Sequence, residues 1–294
     1  MRHIKLLRPP TESFFAYVKE KSGSDAHGHP QEDALSFSAE PPVFAVADGV
    51  TLIQNMIDEK DYPNPSPAGV VSRIFCDSVI KNLEEKYEEL SLEGIRDVFK
   101  GANKEVEKYN AEQGRTEETV DYWENDLYAA TGAFAALKEE VIYWASICDS
   151  YVMHIGENGS LLFKSPNCDV YPPEKASTPK DWDKRSEKEK AMFVWKERRN
   201  RFDGNGNPKG YGVITGEEAA EKYLNIGSFQ VQSGEMVALC TDGFEKYFSD
   251  RKFRELLCEW PNNLEEKIDA YTSKEDQRDP DGYGHERTLI VVKF

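Results

Sequence analysis

Apolar residues recur along this chain with two different periods, and the switch between them divides it into elements. Residues 14–18 and 34–48 carry β-branched, aromatic and small apolar residues in strand-like runs, with Gly and Pro clusters between them. A polar loop rich in proline (Pro63, Pro65, Pro67) follows. The period then changes. Val70, Val71, Ile74, Phe75, Val79 and Leu83 recur at helical spacing, as do Ile95, Val98, Phe99, Ala102, Val106 and Tyr109. This spacing predicts two amphipathic helices packed on a sheet. A block of strands is predicted next, over 128–137, 141–147, 151–155 and 161–164, with turns at Glu139-Glu140 and Glu157-Asn158-Gly159. Residues 165–210 break the pattern. From Lys180 to Arg201 they hold nine Lys or Arg against five Asp or Glu, with Met192, Val194 and Trp195 interleaved. This stretch reads either as a solvated helix lying over the domain or as a flap beside an active site. Asp203-Gly204-Asn205-Gly206-Asn207 looks superficially like a calcium loop, but Pro208 and Ile214 occupy its Gly and Glu positions, so it reads as a turn.

Four of the strand-like segments run into or out of a carboxylate. Glu32-Asp33 precedes Ala34-Leu35-Ser36-Phe37, Val43 to Ala47 ends in Asp48-Gly49, Val141 to Ile147 runs into Cys148-Asp149-Ser150, and Met236 to Cys240 ends in Thr241-Asp242-Gly243. A carboxylate at a strand end is held at the edge of its sheet, and several such ends can converge on one spot. Like charges at contact distance repel, so a converged cluster needs a cation. Hard oxygen ligands suit Mg²⁺ or Mn²⁺. A Gly after the Asp lets the backbone turn sharply, bringing its own carbonyl within reach of an ion.

The order Glu-Asp, Val-Ala-Asp-Gly, an Asp-Ser turn, Thr-Asp-Gly and a final Arg-Thr-Leu-Ile-Val-Val strand resembles the metal-dependent Ser/Thr protein phosphatases of type 2C. The resemblance runs from about Glu32 to Phe294 and takes in Tyr211 to Glu217. It implies an α+β fold: two packed antiparallel β-sheets flanked by helices on both outer faces. The whole chain, 1–294, would form one phosphatase-like domain, with a flap-like insertion at about 165–210. It also implies hydrolysis of phosphoserine or phosphothreonine in proteins by metal-activated water, with two Mn²⁺ or Mg²⁺ ions and a position for a third. By the same resemblance Asp48 and Asp242 are the catalytic residues. Asp48 bridges the ions, the Gly49 carbonyl and Glu32 and Asp33 serve the second ion, and Asp242 serves the first. Asp149 stands at the third-ion position, although an Asp after a strand equally caps the next turn.

Two positions depart from the family pattern. Its last metal ligand is an Asp three residues before the strand Thr, where this chain has His285; Glu286 and Asp281 are the alternative ligands. Imidazole suits Mn²⁺ better than Mg²⁺. Its phosphate-binding Arg lies five residues before the Asp of Glu-Asp, where this chain has Gly28, flanked by His27 and His29 as candidate phosphate contacts. A catalytically weak, phospho-binding or regulatory member therefore stays open as a reading, as does a small-molecule phosphoesterase.

Composition narrows the partners. A net charge of −17 disfavours nucleic acid and repels a phosphorylated substrate at long range, so something cationic and local must overcome that field. No apolar run approaches the roughly 20 residues that span a bilayer. Five cysteines without a Cys-x-x-Cys spacing favour neither disulfides nor zinc. A cytoplasmic chain acting on a phosphorylated protein, with no membrane partner, is expected; nothing in the sequence names a regulator. Neither Cys148 nor Cys240 has an Arg six residues on, where His154 and Lys246 stand, which excludes a cysteine-nucleophile phosphatase. The missing Asp-x-Asp-x-Thr motif argues against an aspartyl-phosphate enzyme.

Overall fold

The strand-like runs pair into two antiparallel sheets. The computed structural model describes residues 4–8, 12–19, 30–51, 63–167, 179–283 and 285–294. The first sheet contains β1 (Ile4–Arg8), β2 (Glu12–Lys19), β7 (Tyr151–Ile155), β8 (Leu161–Lys164), β10 (Met236–Cys240) and β11 (Arg287–Lys293), in the order β1-β2-β11-β10-β7-β8. The second contains β3 (Ala34–Ala39), β4 (Pro42–Gly49), β5 (Ala130–Lys138), β6 (Val141–Ile147) and β9 (Asn225–Gln230), in the order β3-β4-β5-β6-β9. The predicted run 34–48 is thus a hairpin, broken at Glu40-Pro41. Strands β1 and β9 were not legible from periodicity.

Side chains alternate across each strand, and this sorts the core into layers. Phe44, Val46, Ala133, Ala135, Ile142 and Trp144 of the second sheet meet Val152, Val237, Leu239, Ile290 and Val292 of the first. The opposite face of the second sheet (Val43, Ala45, Ala47, Phe134, Ala145) is covered by α1 (Pro67–Lys86) and α2 (Leu92–Glu112). Both predicted helices lie inside these two. The outer face of the first sheet (Met153, Ala238, Cys240, Leu289, Val291) packs on α4 (Glu245–Ser249), α5 (Arg251–Glu259) and α6 (Leu264–Arg278), with α7 (Pro280–Tyr283) beside them. The short helix α3 (Glu187–Glu197) precedes them in the chain. The result is the expected α+β arrangement of two sheets with helices outside. No described helix is long and apolar enough to cross a membrane.

The described part of the 165–210 segment is tied down rather than simply solvated. Trp195 of α3 packs against Val120, Tyr122 and Leu127. The buried Arg199 makes a two-pronged ion pair with Asp126, at 2.8 and 2.5 Å. Asn200 bonds Val213, Thr215 and Glu217. The Asp203 carboxylate accepts from the Asn205 and Asn207 amides, both at 2.8 Å, which is the local turn its sequence predicts.

Candidate active site at the open end of the sandwich

The same alternation aims the candidate carboxylates. Phe44 and Val46 face the gap between the sheets, so Asp48, two further on, does too; Leu35 and Phe37 do, and so Asp33. On the first sheet Ile290 and Val292 face the gap, which assigns Thr288 and Glu286 to the same side. The β3–β4 register pairs Ala34 with Ala47, which sets Asp33 opposite Asp48. Thr241 leads out of β10 into the turn that carries Asp242.

Three polar ties cross from sheet to sheet where the apolar core ends. Thr241 Oγ1 donates to Asp33 Oδ2 at 2.9 Å. The hydroxyls of Thr131 and Ser150 meet at 2.8 Å. The Glu286 carboxylate accepts from the backbone N–H groups of Glu32 and Asp33, at 2.9 Å each. Glu32 itself is buried and takes hydroxyl bonds from Ser66 and from Thr51 at 2.5 Å. Of these tying residues the sequence motifs had singled out Glu32, Asp33, Ser150, Thr241 and, as an alternative ligand, Glu286, but not Thr51, Ser66 or Thr131. The ties themselves join separate segments of the chain, which no local pattern reveals.

Electrostatics at this end run one way. Asp33 is buried, and burial lifts its carboxyl well above the usual carboxylate range, followed by the nearby charges of Glu286 and Asp242. Desolvation also raises Asp48, and the charges that act on it (Asp33, Asp242, Asp149 and Glu286) push it further the same way. Asp242 is open to solvent on one side and crowded by protein on the other. It is pushed up to about 7 by desolvation, then by Asp149. Asp149, half-buried, is raised by desolvation. The charges of four other carboxylates, Asp33, Asp149, Asp242 and Glu286, therefore all act on Asp48. Asp33 Oδ1 and Asp149 Oδ1 are enclosed and accept no hydrogen bond. Hard oxygens with free lone pairs in a negative pocket are a donor set that fits a divalent cation. As they stand, no three His, Cys, Asp or Glu side chains among the described residues are gathered tightly enough to hold one ion.

The remaining candidates fall as follows. His285 is exposed, on the opposite parity of β11 from Glu286 and Thr288, whereas the Glu286 carboxylate reaches the Glu32-Asp33 backbone. His27, His29 and the side chain of Asp281 lie outside the described residues. A cation missed in the sequence stands at the rim: Lys164 pairs with Glu245, a neighbour of Asp242, and sits 3.9 Å from the centroid of the Tyr151 ring.

The glycines of the two Asp-Gly turns are required by space rather than by a left-handed turn. A Cβ on Gly49 would lie 2.8 Å from the Ala68 carbonyl carbon, and one on Gly243 would lie 2.1 Å from the Glu286 oxygen. Both obstacles are backbone and cannot swing away. Gly243→Ala is therefore expected to destabilise the protein by about 3 kcal/mol in urea unfolding. A loss below about 0.5 kcal/mol would show that the β10 and β11 ends can separate freely.

A profile of the Protein phosphatase 2C family matches residues 23–170. The chain belongs to this family. No curated protein matches it. Among solved structures, the serine/threonine phosphatase PstP/Ppp of Mycobacterium tuberculosis superposes with a TM-score of 0.60 at 13% identity, covering 97% of this chain and 99% of that one. PppA, described as a key regulatory component of T6SS in Pseudomonas aeruginosa, gives 0.60 at 14%, over 97% and 98% of the two chains. The catalytic domain of PstP in complex with 2 manganese ions gives 0.57 at 14%, over 96% and 97%. At such identities these structures show a shared fold. The phosphatase 2C fold therefore extends over nearly the whole chain, beyond the residues the family profile matches.

Proposed function

We propose that this phosphatase 2C family member hydrolyses phosphoserine or phosphothreonine in proteins, using divalent cations held between the two sheets. The carrying observation is the set of five carboxylates at one end of the sandwich, each raising the proton affinity of Asp48 or sharing its pocket. A phosphate dianion cannot approach such a wall unless cations neutralise it. Asp33, Asp48 and Asp242 are the proposed ligands, with Asp149 at the rim; the PstP domain that carries manganese supports Mn²⁺ as the first metal to test. Bound there, a divalent ion supplies a Lewis acid for the phosphoryl oxygens and a nucleophile at neutral pH. The protein's own part is placement. Thr241 fixes the Asp33 carboxylate, Glu286 fixes the backbone that bears it, and the β3–β4 register sets Asp48 opposite. At the rim Lys164, paired with Glu245 near Asp242, is the proposed contact for the protein substrate.

With Mn²⁺ the protein is expected to turn over a phosphothreonine peptide, and EDTA is expected to stop it. Turnover at the blank level with metal, while the phosphopeptide still binds, would give a phospho-binding member without catalysis. Turnover of small phosphoesters alone would move the substrate class away from proteins.

A further inference from the structure

Arg287 is charged and fully buried, on the side of β11 where Leu289 and Val291 are apolar. Its side chain takes the helix-facing side of β11, with Leu289 and Val291. There the guanidinium donates to Asp276 Oδ2 of α6 at 2.6 Å, and Asp276 Oδ1 accepts from the Tyr247 hydroxyl at 2.6 Å. A second guanidinium nitrogen donates to the carbonyls of Tyr283 and, at 3.4 Å, His285. The cation lies 5.2 Å from the centroid of the Tyr247 ring. A buried ion pair is a poor way to gain stability, since well-packed apolar side chains of the same volume serve as well or better. What apolar side chains cannot do is bind the two backbone carbonyls of Tyr283 and His285. Those carbonyls belong to the segment that enters β11 and carries Glu286.

Glu286 leaves the opposite face of the same strand, one residue before Arg287, and reaches the amides of Glu32 and Asp33. Its carboxylate stands close enough to Asp33 for the two charges to oppose each other, so its place has to be imposed. The Gly243 backbone lies so close that a Cβ there would collide with the Glu286 carbonyl oxygen. We propose that the buried Asp276–Arg287 pair is a positioning device that holds the Tyr283 and His285 carbonyls, and thereby seats Glu286 on the Glu32-Asp33 amides. Through this chain of contacts a pair on the helix side of the first sheet sets the position of Asp33 in the second. Its consequence for turnover rests on the phosphatase reading; the positioning itself does not.

Hydrogen exchange of the metal-free protein tests the positioning. Asp276→Asn keeps the shape and removes the charge, Arg287→Lys keeps the charge and removes the forked donors, and Glu286→Ala removes the seated carboxylate. All three are expected to speed exchange at the Glu32 and Asp33 amides by about tenfold, with the interior of β10 and β11 as slow as in wild type. Mn²⁺ affinity by calorimetry is expected to fall about tenfold in the same three variants. If Asp276→Asn does not fold, Arg287→Lys decides on the same readouts. Unchanged exchange at 32–33, or a uniform rise through β10 and β11, overturns the proposal, the latter because it marks a merely structural pair. Wild-type turnover is measured alongside. Its absence would remove the phosphatase reading and leave the exchange result standing.

Discussion

Asp48→Asn is expected to lower turnover of an aryl phosphate in Mn²⁺ by about a thousandfold or more, with the fold retained. The reason is its position. It lies at the gap-facing end of β4, opposite Asp33 and paired with Thr131 of β5, and the charges of Asp33, Asp242, Asp149 and Glu286 all act on it. The amide has the same shape, so packing is unchanged, but it has one oxygen in place of two and no charge to share between ions. The same change removes a carboxylate that four others repel. In EDTA at pH 8 the variant is therefore expected to unfold at higher urea than wild type, by an amount on the order of 1 kcal/mol. Loss of activity together with this gain in metal-free stability separates a ligand from a residue needed only for folding, whose loss lowers both. Turnover above about a tenth of wild type would take Asp48 out of the chemistry.

Part of this arrangement can be read from the sequence, because each apolar strand run ends visibly at its carboxylate. Strand ends fix where the carboxylates sit, whereas the unbroken apolar runs Val43 to Ala47 and Leu289 to Val292, buried on both faces, leave the choice of gap-facing side chains to the fold. That Glu286, one of the two alternatives to His285, lies on the gap side with Thr288 emerges only from the structure. What the sequence does not display is pairing across distance. Glu286 meets Glu32 across 254 residues, Arg199 meets Asp126 across 73, and Arg287 needs Asp276 on a helix. A lone Arg in an apolar strand was the one visible sign of the last of these. The space requirement at Gly49 and Gly243 was equally hidden, since an Asp-Gly pair reads as a turn whether or not another backbone passes behind it.

Metal-free protein is expected to lose stability as pH rises from about 4 to 8, the reverse of ordinary acid denaturation. Asp33 and Asp48 hold their protons far more tightly in the folded state than in the unfolded chain, and Asp242 does so up to about 7. A carboxyl whose value is raised by folding stabilises fully below its unfolded value near 3.8, where both states are protonated, and loses that contribution as pH climbs through its folded value. Asp242 is exposed on one side, and solvent screening discounts its share, so most of the effect comes from Asp33 and Asp48. The expected loss is a few kcal/mol. Carboxylates shifted the other way do not mask it. Asp121, held down first by the Glu124 amide, Asp203 by Asn207 and Asp279 by Lys246 give up their contribution only as pH falls below about 4. Urea unfolding in EDTA at pH 5 and pH 8 measures the slope. Saturating Mn²⁺ at pH 8 is expected to restore the lost stability, because the ion replaces the protons on the same oxygens. Asp48→Asn should flatten the metal-free slope. A metal-free protein that gains stability from pH 5 to 8, or one indifferent to Mn²⁺ at pH 8, would mean that these carboxylates neither repel one another nor share an ion.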